Sequence, residues 1–169
     1  IVHLRRLGLS VEIVSGDRAD AVADVASELG VNKWTASASP RDKVRRLEAL
    51  QAQAKQVLMV GDGLNDAGAL ALAHASAAPG GALDVSQSAS DAVYSGGLGA
   101  LPLLVTTARQ AKAIMLQNFG FAAAYNLVAV PIAILGYETA LVAAIAMSGS
   151  SLIVCLNALR LNVAVGGSK

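Results

Sequence analysis

Two carboxylates four residues apart, Asp62 and Asp66, stand where an apolar run ending in Met59 and Val60 gives way to Gly61, Asp62, Gly63, Leu64, Asn65 and Asp66. Acidic oxygens at this spacing, on a glycine-bearing loop at the carboxyl end of a strand, are placed to hold a divalent cation. Two upstream segments add to the pattern. Ser15, Gly16 and Asp17 follow the β-branched run Val11 to Val14, and Lys43 follows Ser39, Pro40, Arg41 and Asp42. A hydroxyl and a lysine can neutralise and orient a phosphoryl group while a carboxylate pair holds Mg²⁺ against the same oxygens, so together these residues describe a phosphoryl-transfer site. Taken singly, each has a plainer use. Ser15 to Asp17 could be a helix cap, and Lys43 could lie on a solvated helix face beside Arg41, Arg45 and Arg46.

The elements that must position these side chains follow from periodicity. Val11 to Val14 reads as a strand, and Ala19, Val22, Val25, Ala26 and Leu29 mark one face of a helix stopped by Gly30. A short strand is expected around Trp34. A helix is expected from Pro40, just inside its cap, to about Gln53. Gln56 to Val60 reads as the next strand and Asp66 to Ala75 as the next helix. Strands and helices alternating at this interval argue for an α/β unit with a parallel sheet. From Ser76 to Gly99 the rise in glycine, serine and alanine reads as loop-rich closing structure, with a weak strand signal only at Ala92 to Tyr94. Leu101 to Lys112 reads as an amphipathic connecting helix.

Beyond Lys112 the composition changes. Up to Arg160 the only charged side chain is Glu138. Overall, 54% hydrophobic residues with 4% aromatics and a mean hydropathy of +0.54 exceed what a typical soluble domain carries. Residues 113–137 and 138–161 are each long enough, at about 1.5 Å per residue, to cross a hydrocarbon core of roughly 30 Å. Arg109, Lys112, Arg160 and Lys169 flank the outer ends of this pair, and the turn between has no Lys or Arg. The positive-inside rule then puts both termini, with residues 1–100 and the tail 162–169, in the cytoplasm. The alternative is a buried helical hairpin of a large soluble protein. A net charge of +1 and the lack of aromatics interleaved with basic residues speak against nucleic acid as a partner. The single cysteine, Cys155, leaves the fold without an internal disulfide. An opening at Ile1, with no initiator Met and no signal peptide, reads as a piece cut from a longer chain.

Polar groups in a bilayer are costly and usually face a pathway or another helix. Tyr125 and Asn126 in the first span, and Met147, Ser148, Ser150, Ser151 and Cys155 in the second, therefore call for an explanation. Met147, Ser151 and Cys155 recur every four residues, and sulfur is a soft ligand suited to Cu(I). Small residues also serve close helix packing, and Met fills gaps, so the stripe equally suits a packing face. Pro131 leaves the carbonyl of Leu127 without its helical partner, so a bend is expected after Asn126, either to open backbone toward an ion or for packing alone.

The SGD of 15–17, the PRDK of 40–43 and the VGDGLNDAGAL of 60–70 resemble the second half of the phosphorylation domain of a P-type ATPase, within the haloacid dehalogenase superfamily. The resemblance implies a partial Rossmann-like parallel sheet followed by two transmembrane α-helices. It implies that Ser15, with Gly16 and Asp17, and Lys43 attend an aspartyl phosphate, that Asp62 helps ligate Mg²⁺, and that Asp66 orders the same metal loop. The phosphorylated aspartate of the family's DKTGT motif does not occur in this sequence, and Gly68 stands where the family usually has proline. YN at 125–126, MSGSS at 147–151 and NALRL at 157–161 are similar to the last two helices of copper-transporting heavy-metal ATPases, in the form linked to cytochrome oxidase assembly. That similarity implies that Tyr125, Asn126, Met147 and Ser151 contribute to Cu(I) sites, with the family's Cys-Pro-Cys ligands on an earlier helix. The function it implies is the C-terminal part of an ATP-driven exporter of Cu(I) or Ag(I) in a bacterial inner membrane. Its partners would be the lipid bilayer, the remaining domains, which bind most of the ATP, and a copper chaperone. Two rival readings are a membrane-tethered phosphatase of the same superfamily and a catalytically inactive membrane fragment.

Overall fold

A computed structural model describes residues 1–62, 64–136 and 139–166 of the chain. It divides into two compact units, Ile1–Pro102 and Leu103–Lys169. The turn expected at 136–139 includes residues 137 and 138, which lie outside the described residues, as do Gly63 of the acidic loop and residues 167–169 of the tail.

The first unit alternates helices and strands: α1 (Val2–Arg6), β1 (Ile13–Val14), α2 (Ala19–Glu28), β2 (Trp34–Thr35), α3 (Pro40–Gln51), β3 (Leu58–Val60), α4 (Ala67–Leu72), β4 (Ala75–Pro79), α5 (Asp84–Ser88) and β5 (Ala92–Tyr94). All the described strand pairs are parallel. β1 lies beside β2 with Ile13 opposite Trp34, and β3, β4 and β5 form a second sheet in that order, with Leu58 opposite Ala75 and Ala77 opposite Ala92. Parallel strands need crossovers, and α2 between β1 and β2, α4 between β3 and β4, and α5 between β4 and β5 supply them.

β4 is the main departure from the pattern expected of the sequence, which reads residues 76–99 as mostly loop. Ala75, Ser76, Ala77, Ala78 and Pro79 have little strand propensity. They form the central strand of the three, and Ala77 and Ala78 are completely buried in the part of the fold where α4 and α5 pack against this strand. Ser76, also buried, is satisfied by Asp91, whose carboxylate accepts from the Ser76 amide at 2.8 Å and from its hydroxyl at 2.9 Å. Pro79 sits at the strand's end, where a missing N–H is tolerated. The helix after the acidic loop is shorter than expected, a 3₁₀ turn at Leu64–Asp66 followed by α4. Val22 and Ala26 of α2, Leu47 of α3 and Ala69 and Leu70 of α4 bury the helix faces that cover the sheets.

The second unit is two long helices, α6 (Leu101–Ile134, beginning just before the unit boundary) and α7 (Ala140–Gly166). The expected connecting helix at 101–112 and first span form one unbroken helix, whose assignment continues through Pro131 and stops before Gly136, which takes the left-handed φ of +74°. Both helices are long and apolar enough to cross a membrane, and their most apolar stretches have no buried residues, unlike the core helix of a soluble protein. From residue 111 onward the partly covered positions of α6 are Ala111, Ile114, Asn118, Tyr125 and Ala129. Their spacing of three, four and seven residues defines one seam. Ala146, Ser150, Val154, Asn157 and Leu161 define its counterpart on α7.

Candidate functional site

Ser39 caps α3. Its hydroxyl accepts from the Asp42 amide at 3.2 Å, and the Asp42 carboxylate accepts from the Ser39 amide at 3.0 Å, a reciprocal box that holds the first turn with Pro40 inside it. The Ser39 hydroxyl also donates to Asp42 Oδ2 at 2.6 Å, and this bond, followed by that from the Ser39 amide, holds the Asp42 carboxyl below its usual range. This start directs Lys43 at the loop after β3, where its Nζ donates to Asp66 Oδ1 at 2.5 Å. Both side chains are largely enclosed, 13% and 10% exposed, so water screens the pair little. Asp66 reaches that position because residue 61 is glycine: a Cβ there would lie 2.8 Å from Asp66 Cβ and 3.0 Å from its Oδ2.

The loop after β1 is tied to the start of the same helix. The Ser37 amide donates to the Asp17 carbonyl at 2.8 Å and the Ala38 amide to the Ser15 carbonyl at 2.9 Å. A Cβ on Gly16 would stand 3.3 Å from the Ala38 carbonyl oxygen. Within the loop, the Ser15 hydroxyl donates to Asp17 Oδ2 at 3.1 Å and accepts from the Asp17 amide at 3.2 Å. The tertiary structure thus pairs Ser15 with Asp17 and Lys43 with Asp66. It also connects the first pair to the second through the backbone of residues 37–39 and the first turn of α3. A further brace was not legible in the sequence: Arg46 grips Glu12 through two bonds of 2.7 and 2.8 Å, joining α3 to the approach of β1. Arg46's hydrogen bonding lowers the Glu12 carboxyl against the opposing effect of burial.

Asp62 is exposed. Its negative charge adds to burial in raising the phenol of Tyr94, at the end of β5. Among the described residues no three of His, Cys, Asp and Glu gather to hold an ion alone. Mg²⁺ needs no such cage, since one or two carboxylates suffice when water and phosphate oxygens fill the remaining positions. The open carboxylate of Asp62 has the chemistry for that role, whereas one oxygen of Asp66 is taken by Lys43.

Of the polar residues in the helices, Tyr125 lies on the seam, while Asn126, Met147, Ser151 and Cys155 are exposed. Two amides on the seam, Asn118 and Asn157, meet at 2.8 Å. Their signal in the sequence was polarity within a largely uncharged, apolar hairpin, a signal shared with Gln117, Tyr125, Asn126 and the serines of α7.

A family model of haloacid dehalogenase-like hydrolases matches residues 1–74. The nitrogen fixation protein FixI of Rhizobium meliloti (strain 1021) is 51% identical over 162 residues, 95% of this chain and 21% of that protein. The copper-exporting P-type ATPase of Bacillus subtilis (strain 168) is 35% identical over 162 residues, 95% of this chain and 20% of its own length. The crystal structure of a zinc-transporting PIB-type ATPase in the E2.Pi state is similar with a TM-score of 0.82 at 33% identity, covering 95% of this chain and 26% of that one. The chain spans about a fifth of the length of the curated relatives it matches.

Proposed function

We propose, from its similarity over 95% of its length to FixI and to a copper-exporting P-type ATPase, that the chain is the C-terminal part of an ATP-driven exporter of Cu(I) or Ag(I). In this reading residues 1–100 supply the Mg²⁺- and phosphate-stabilising half of a phosphorylation site, and α6 and α7 are two of the transport helices. The observation that carries it is the Lys43–Asp66 pair, which ties the PRDK helix to the GDGLND loop beside the SGD turn.

Lys43 would present an ammonium, held in place by Asp66, to the oxygens of a phosphorylated aspartate elsewhere in the protein. Ser15 would release its internal bond to Asp17 and donate to a phosphoryl oxygen instead. Asp62 would hold Mg²⁺, with Asp66 fixing the loop that carries it; the ion, when bound, neutralises charge on the phosphoryl oxygens. Within the helices, Tyr125, Asn126, Met147 and Ser151 would contribute donors to the cargo ion. A thioether favours Cu(I) or Ag(I) over harder cations, and α7 carries no carboxylate for zinc. Basic residues at the outer ends of the two spans and none in the turn support cytoplasmic termini in a bacterial inner membrane. The remaining domains, and a copper chaperone delivering the ion, complete the set of partners.

The test is Asp62→Ala in the full-length protein carrying this chain. Copper-stimulated ATP turnover is expected to be lost, and turnover at the unaltered rate would refute the site assignment. Because DKTGT does not occur in these 169 residues, they alone should not hydrolyse ATP. Copper-dependent hydrolysis by them would count against the reading.

A further inference from the structure

The seam between α6 and α7 contains a connected group of polar side chains to which the phosphoryl chemistry assigns no role. Asn157 Nδ2 donates to Asn118 Oδ1 at 2.8 Å and to Gln117 Oε1 at 3.3 Å, Arg160 Nη1 donates to Asn157 Oδ1 at 3.2 Å, and Asn118 Nδ2 reaches the Val154 carbonyl at 3.5 Å. Apolar and small seam residues permit many staggers of one helix along the other, because each offset finds similar surfaces. A pair of amides does not: shifted by one turn, about 5.4 Å, Asn118 would face hydrocarbon without its partner amide and Asn157 would keep only Arg160 of its own helix.

We propose that Asn118 and Asn157 are positioning residues that set the stagger of α6 against α7, and so the level at which Tyr125 and Asn126 stand relative to Met147 and Ser151. The heights follow from the helical rise. At about 1.5 Å per residue, Tyr125 and Asn126 lie roughly 10 and 12 Å along α6 from Asn118. On α7, running the opposite way, Ser151 and Met147 lie about 9 and 15 Å from Asn157. The amide pair therefore brackets Tyr125 and Asn126 between Ser151 and Met147 in height. Ala129 and Ala146, each eleven residues from the pair, are brought level on the seam. The proposal rests on the reading of those four residues as cargo ligands.

The test uses the full-length protein in lipid vesicles with Cys155→Ser. Ala129→Cys combined with Ala146→Cys should form a disulfide in the parent background, and adding Asn157→Ala should spread cross-linking to the off-level combination Ala129→Cys with Ser150→Cys. Without the added cysteines, Asn157→Ala should raise the Cu(I) concentration for half-maximal ATP turnover roughly three- to tenfold, the range expected for one interhelical hydrogen bond in a membrane, while the maximal rate holds. Asn118→Ala, which leaves Arg160 and Gln117 on Asn157, should act in the same direction, and the double variant should cost less than the sum of the two. Unchanged cross-linking, or altered cross-linking with an unchanged copper response, would overturn the proposal. Met147→Leu separates the two readings: if it too leaves the copper response unchanged, the ligand assignment itself has failed.

Discussion

Removing Lys43 should injure the protein through the acid it leaves behind. In Lys43→Met the Asp66 carboxylate, 10% exposed, loses the ammonium 2.5 Å away. Breaking a buried ion pair in this way costs about 3 to 5 kcal/mol, and the residual tenth of exposure on each side puts the figure near the lower end, about 3 kcal/mol. Asp66→Asn strands the ammonium instead and should cost a similar amount. The double variant strands neither charge, so its loss should fall short of the sum by on the order of 2 kcal/mol. A protein of several units does not unfold in one step, so the fitting assay is native-state hydrogen exchange at the amides of Ala69 and Leu70, buried in α4 immediately after Asp66. Losses that add within about 0.5 kcal/mol, or a single Lys43→Met loss below that size, would refute the argument that this pair holds the acidic loop to α3.

Gly61→Ala should cost about 1 to 3 kcal/mol by forcing a Cβ into Asp66, while Gly81→Ala, with open space around it, should be near neutral; native-state hydrogen exchange of the two variants compares them. Ser39→Ala should loosen the first turn of α3 by about 1 kcal/mol, seen as faster exchange at the Asp42 and Lys43 amides. Glu12 contributes stability in its charged form, because Arg46 lowers its pKa in the folded protein. That contribution is present above the ordinary carboxyl range, near pH 4.3, and is lost as pH falls through the lower folded value; Glu12→Gln should remove this part of the acid slope in a pH titration of stability.

Much of the first unit was legible from residue order. The β-branched run before Ser15, the Ser39–Pro40 start of α3 and the apolar run into Gly61 each obey local rules, and each produced an element close to the expected place. β4 was illegible for the same reason turned round: alanine and serine say little locally, and they form a strand through parallel pairing with β3 and β5. The candidate site divides along the same line. Residue types at Ser15, Asp17, Lys43, Asp62 and Asp66 led to the expectation of phosphoryl chemistry. That Asp66 spends an oxygen on Lys43 while Asp62 stays open could be learned only once α3 was seen against the acidic loop.

By itself, the sequence determined which chemistry the chain can support and which segments are apolar enough to cross a bilayer, because those follow from side-chain type and short-range spacing. The tertiary structure alone decided that residues 23 positions apart share a charge pair, and that two amides 39 positions apart meet across the helical seam. Such contacts depend on how whole elements pack against one another, and no local pattern of residues encodes that.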